Sequence, residues 1–302
     1  LQRLTFFSIS LKIMDRKFRK EEFKMSVNIG FIGFGLTGGS IAKAIHAAHP
    51  EYLISAYDLQ KESLILAQQE GILDTVWDEN NLRFDQCDFL FLCAPTECNC
   101  AYLKYLREDI IGTDCILTDV GNTKATIHRE IDRVSLTANF IGGHPLFYKA
   151  LSGYSHSMPD FICQAPYYIL TPSEDVSFHK LSVFTELISS LGTVPLVLTP
   201  QEHDYTLAGI SHLPHLLESA YVAMLQRLDT KEHRLRNLMP RRPLSFDGNS
   251  SSWQQTCMEN APYISNILDE YIRSLIQLRC QLDQQDERSV FQLFEQSPPP
   301  LP

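Results

Sequence analysis

A glycine-rich turn joining a short apolar run to a helix constrains this chain more than any other feature. Val27 to Ile32 read as a buried strand, and Gly33-Phe-Gly35-Leu36-Thr-Gly38 follows directly, leading into a helix read over Ile41 to Ala48. A second apolar run, Leu53 to Tyr57, ends in Asp58, twenty residues past Gly38. Each position has a physical task. Gly33 permits the tight turn, Gly35 lets backbone approach a pyrophosphate, and Gly38 lets the helix lie close on the strand. The first helical N–H groups and the positive end of the helix hold phosphates. Asp58 can accept hydrogen bonds from both ribose hydroxyls, and its charge repels a 2′-phosphate. The pattern reads as a dinucleotide site for NAD, with Lys61 leaving NADP open.

The 302 residues suffice for two domains. A net charge of -10 argues against nucleic-acid and anionic-membrane partners, and no apolar run is long enough to span a bilayer. The eight cysteines show no disulfide framework. Cys93 and Cys115 lie in apolar runs and read as buried thiols. Cys98-Asn-Cys100 has no second pair at zinc spacing, so no metal is expected, and a cytoplasmic location is. Residues 1–25 are expected to be a disordered extension, with Met25 a natural start, and residues 293–302 a frayed Pro-rich tail.

Strands and helices alternate between these ends. Asp88 to Cys93, Cys115 to Val120, Tyr167 to Pro172 and Val194 to Thr199 read as strands, separated by helical segments. This rhythm predicts an α/β fold: a Rossmann-type, doubly wound, mostly parallel sheet over residues 26–199. From Pro200 the pattern is helical. Gln201 to Leu228 reads as one long helix and Trp253 to Leu282 as another, with Tyr263, Ile267, Tyr271 and Leu275 at helical spacing. Residues 200–292 are expected to form an all-helical substrate domain that buries its surplus apolar surface against a second copy, as a homodimer.

In open α/β sheets, ligands bind beyond the carboxyl ends of the strands. Ala94-Pro95-Thr96, Gly121-Asn122-Thr123-Lys124 and Gly142-Gly143-His144-Pro145 stand there. A neutral imidazole at His144 can accept a proton from a substrate hydroxyl as hydride leaves the same carbon; the alternative is a loop histidine held by backbone bonds. His203-Asp204, with His212 and His215 at i, i+3, reads as substrate contacts or interdomain hydrogen bonds rather than a metal site.

These motifs, with Tyr168-Ile-Leu-Thr-Pro172 and Ser211-His-Leu-Pro-His215, resemble the prephenate dehydrogenase family over roughly residues 27 to 290. The resemblance implies NAD-dependent oxidative decarboxylation of prephenate to 4-hydroxyphenylpyruvate, in tyrosine synthesis. It makes His144 the catalytic histidine and Gly33, Gly35, Gly38 and Asp58 the cofactor site, lined further by Leu36, Ala94, Pro95 and Gly121. His212, His215 and Trp253 match positions around the substrate pocket.

The chain departs from the family at three places. Where the family has a serine that orients the histidine, Asn122 stands here, still able to hydrogen-bond. The loop after Pro145 reads Leu146-Phe-Tyr-Lys149-Ala150-Leu-Ser152-Gly153 and has gained aromatic residues and a lysine. The family's arginine nine residues before the tryptophan falls on Leu244, so Arg242, with Lys149, is expected to supply the cations for the substrate's two carboxylates. These departures keep two alternatives open: a dehydrogenase for arogenate or another prephenate analogue, and a catalytically impaired NAD-binding relative.

Overall fold

The computed structural model describes residues 26–147, 151–228 and 250–296. The expected N-terminal extension, Lys149, Arg242 and Leu244 lie outside the described residues.

Five strands form the first sheet: β1 (Asn28–Ile32), β2 (Leu53–Tyr57), β3 (Thr75–Val76), β4 (Phe89–Leu92) and β5 (Ile116–Asp119). All pair in parallel, in the order β3-β2-β1-β4-β5. The central strands are apolar on both faces, as a sheet covered on both sides requires; all four residues of β4, Phe-Leu-Phe-Leu, are buried. The crossover helices are α1 (Leu36–Ala48), α2 (Lys61–Gln69), α3 (Thr96–Ile110) and α4 (Ala125–Arg133). The strand order reverses at β1, so a crevice opens beyond the carboxyl ends of β1 and β4.

The parallel ladder does not continue to the end of the domain. β6 (Ile141–Pro145), β7 (Tyr168–Pro172) and β8 (Pro195–Val197) form a second sheet, in which β6 and β7 are antiparallel. The segment between β6 and β7 holds among its described residues only a 3-10 turn, Tyr154–His156, and a one-turn helix, α5 (Asp160–Cys163), so no full crossover helix returns the chain to the starting edge. A helix of normal length, α6 (Phe178–Ser190), precedes β8 and restores the parallel sense. β5 meets the second sheet through one bridge, Leu117 to Phe140, and through the Asp119 side chain, whose Oδ1 accepts from the Gly143 amide at 3.1 Å.

The helical part starts with a capping box. Thr199 accepts from the Glu202 amide, and Glu202 accepts from the Thr199 amide, at the head of α7 (Pro200–Leu207). The single helix expected to Leu228 is interrupted. One wider π turn, Ala208–His212, separates α7 from α8 (Leu213–Leu228). The second expected helix is likewise divided at Asn260, into α9 (Ser250–Glu259) and α10 (Ala261–Asp283). Pro262 explains the break, because its ring and missing amide are tolerated only in the first turn of a helix. A further helix, α11 (Glu287–Gln296), starts at Asp286, which accepts from the Ser289 amide, and runs past the boundary expected at 292. No helix among the described residues is long and apolar enough to cross a membrane.

Candidate active site

The glycine turn has the shape a dinucleotide needs. Gly33 has φ +87°, and a Cβ there would lie 2.5 Å from the Ala94 amide nitrogen. A Cβ at Gly38 would lie 2.6 Å from the Gly33 carbonyl oxygen, so the helix could not approach the strand. At Gly35 the reverse holds: a Cβ would meet nothing within 4 Å, and its absence leaves an open cradle over the turn. The first turn of α1, beginning at Leu36, has no side-chain cap and no acidic residue, so its amides face that cradle as anion donors. Asp58, beyond the end of β2, accepts from the Phe34 amide at 2.5 Å and the Gln60 amide at 2.7 Å. Each carboxylate oxygen keeps a lone pair for a ribose hydroxyl. Ala94, Pro95 and Gly121 follow the neighbouring strands β4 and β5, as expected. These residues fit the cofactor read from the sequence.

His144 sits in β6, buried, on the same carboxyl side of the sheet. Its Nδ1 is 2.8 Å from His203 Nε2, and His203 Nδ1 is 2.8 Å from Asp204 Oδ1. Asp204 in turn accepts from the backbone amides of Lys124, at 2.8 Å, and Ala125, at 2.9 Å, at the head of α4. A carboxylate there complements the helix dipole. His203 and Asp204 thus make interdomain hydrogen bonds, one of the two readings the sequence left open for them.

Asn122 and His144 have different hydrogen-bond partners in this structure. The Asn122 amide donates to Thr256 Oγ1 of α9 at 3.3 Å, because the longer side chain reaches across the domain junction. The histidine's ring partner is His203, a residue that the sequence grouped correctly but left without this task.

Beneath the site, Lys124 and Asp119 form a buried ion pair at 2.6 Å. Asp119 also accepts from the Gly121 and Gly143 amides. The Asp-Val-Gly-x-x-Lys run was the signal for this pair. On the helical side, Asn260 Nδ2 donates to the Asp204 carbonyl at 2.7 Å and to His212 Nδ1 at 2.9 Å. His215 stacks on Trp253 with ring centroids 3.8 Å apart, and His212 meets the same indole edge-on. The structure therefore brings His212, His215 and Trp253 together.

Burial governs the charge of these rings. It pushes His144 well below the ordinary imidazole value, helped by His203, Lys124 and His212. Burial takes His203 down to about 2, with Lys124, His212 and His128 adding to it. Burial takes His212 down to about 4, against the pull of Asp204. All three are neutral near pH 7. A neutral imidazole backed by a fixed partner can accept a proton, and a glycine cradle beside a helix end can hold a pyrophosphate.

Two family profiles match. "Prephenate dehydrogenase, nucleotide-binding domain" matches residues 41–198, and "Prephenate dehydrogenase, dimerization domain" matches residues 199–296. The chain is 27% identical over 284 residues to a prephenate dehydrogenase of Bacillus subtilis, covering 90% of this chain and 74% of that protein. It is 24% identical over 277 residues to a cyclohexadienyl dehydrogenase of Zymomonas mobilis, covering 89% of this chain and 93% of that one. Among solved structures, a prephenate dehydrogenase from Aquifex aeolicus, in complex with hydroxyphenyl propionate and NAD+, superposes with TM-score 0.79 at 23% identity, over 91% of this chain and 96% of that one. An arogenate dehydrogenase from Synechocystis gives TM-score 0.77 at 25% identity, over 89% and 97% of the two chains.

Proposed function

The chain belongs to the prephenate dehydrogenase family, and on that premise we propose that it converts prephenate to 4-hydroxyphenylpyruvate and CO2 with NAD, in tyrosine synthesis. One observation carries the reading furthest: a buried, neutral His144 whose Nδ1 is engaged by His203, leaving Nε2 for a substrate hydroxyl. NAD, when bound, supplies the hydride acceptor. As the C–H bond at the hydroxyl-bearing ring carbon breaks, His144 Nε2 takes the hydroxyl proton and the oxygen becomes a carbonyl. The ring–carboxylate bond then breaks, its electron pair enters the ring, and CO2 leaves. The oxygen becomes phenolic and takes the proton back from His144, so the histidine ends as it began. Aromatisation drives the second step, and the protein's task is to orient the ring and polarise the hydroxyl.

In this reading Gly33, Gly35, Leu36, Gly38, Asp58, Ala94, Pro95 and Gly121 hold the cofactor, within residues 26–199. His212, His215 and Trp253 line the substrate side, with Lys149 and Arg242 as cations for the two carboxylates. Asn122 serves the domain junction through Thr256. The helical domain, residues 200–292, also joins two copies into a homodimer. Tyr271, Ile272, Leu275 and Ile276 of α10 are 40–51% exposed, an apolar stripe suited to a second copy. A cytoplasmic location completes the reading.

The test is absorbance of the reduced nicotinamide when prephenate, or separately arogenate, is added to the protein with NAD. A rise with prephenate supports the proposal. A rise with arogenate alone moves the assignment to the second reading, which the likeness to the Synechocystis enzyme supports. No rise with either, while NADH still binds, identifies an impaired relative.

A further inference from the structure

Three buried side chains stand in line across the domain junction: Asp204, His203 and His144. We propose that His203 is a positioning residue which, with Asp204 behind it, holds His144 in the tautomer that carries its proton on Nδ1 and leaves Nε2 bare. This rests on the reading of His144 as the proton acceptor.

The assignment follows atom by atom. Asp204 Oδ1 accepts from the Lys124 amide and Oδ2 from the Ala125 amide, so the carboxylate meets His203 as an acceptor. His203 Nδ1 must donate to it. Burial, with Lys124 nearby, keeps His203 neutral, so one proton is all the ring has and Nε2 is a lone pair. That lone pair lies 2.8 Å from His144 Nδ1, which must then be the protonated nitrogen. His144 is neutral too, so its Nε2 is bare. Lys124 from the turn after β5 and His212 from the π turn are the other groups that bear on the ring, and both oppose a second proton on it. When Nε2 takes the hydroxyl proton, the imidazolium still points Nδ1–H at His203, with the Asp204 carboxylate one ring beyond.

The experiment uses the full chain without substrate, labelled with nitrogen-15 at histidine, and reads two-bond proton–nitrogen correlations at neutral pH. His144→Asn and His203→Gln assign the two rings by the signals that each removes. The expected result is a protonated Nδ1 and a bare Nε2 on both rings. A protonated Nε2 on His144 overturns the proposal. Kinetics give a second reading. His203→Leu, which offers no acceptor, is expected to lower kcat by about 100-fold, the lower range of a lost general base, with KM for NAD unchanged. His203→Gln, whose amide oxygen can accept from Nδ1, is expected to recover about 10-fold of that. Equal rates for both variants and the unsubstituted chain overturn it. The tautomers are read without prephenate, so a chain that fails to turn over prephenate yet shows them rejects the proposed function alone.

Discussion

Asn260 donates its side-chain amide to His212 Nδ1, which gives His212 the opposite proton arrangement to the one argued for His144. The same amide nitrogen also donates to the Asp204 carbonyl, which can only accept, so the orientation of the amide is settled. A neutral His212 then carries its proton on Nε2 and offers a donor, suited to a substrate carboxylate. In the proposed reading the site thus holds two neutral histidines with complementary tasks.

Asn260→Ala removes that orientation. KM for prephenate is expected to rise by about 10-fold, in line with about 1–3 kcal/mol for a lost buried partner, while KM for NAD stays unchanged. Initial rates with each substrate varied in turn check this. An unchanged KM for prephenate would remove Asn260 from the substrate site.

His144→Asn is expected to lower kcat by about 10²- to 10⁴-fold, the range for a lost general base. NADH binding, followed by fluorescence, is expected to stay intact. Turnover at the level of the unsubstituted chain would exclude His144 from the mechanism.

Two glycines separate cofactor binding from folding. Gly35→Ala adds a methyl group to open space, so thermal stability should hold while NAD affinity falls. Gly38→Ala drives a methyl group to 2.6 Å from a backbone carbonyl, and about 1–3 kcal/mol of stability should go with it. Thermal melts and NAD titrations of the two variants check the contrast, and equal melting temperatures for both would contradict it.

Acid should weaken the fold through its buried neutral histidines. Burial lowers His128 and His212 from 6.5 to about 4. Above pH 6.5 neither state binds the proton. As pH falls from 6.5 towards 4, the unfolded chain takes a proton that the folded chain refuses, so stability is lost. Each ring then costs about 2 kcal/mol by roughly pH 5. Melting temperature measured between about pH 7 and about pH 5 should fall; a flat profile would count against these shifts.

Leu275→Glu places a charge on the exposed stripe of α10. Sedimentation is expected to show a dimer for the unsubstituted chain and a monomer for the variant. A dimer that survives the substitution would move the interface elsewhere.

The sheet domain was legible because its signals are local. The glycine turn, the apolar β4 run and the acid after β2 each declare themselves within a few residues. What escaped the reading depends on distant partners. No local pattern tells that β7 returns antiparallel, since the outcome turns on the connection that precedes it. The π turn at Ala208–His212 interrupts a run whose composition is helical throughout. Pro262 was a visible sign of the break at Asn260, but the task of Asn260 was not visible, since its partners lie 48 and 56 residues away. Asn122 stands where the family has its serine, and the reach of its longer side chain to Thr256, 134 residues on, has no local signal.

The Asp204 carboxylate closes the head of a helix in one domain while it belongs to a helix of the other. In the proposed mechanism the readiness of His144 therefore depends on the packing of α7 against the sheet domain, which brings His203 and Asp204 to it. The His203–His144 hydrogen bond spans the same junction and limits recombination. A hybrid that takes residues 26–199 from one relative and the helices from another must reproduce a 2.8 Å fit between His203 and His144, so the two halves are constrained to change together.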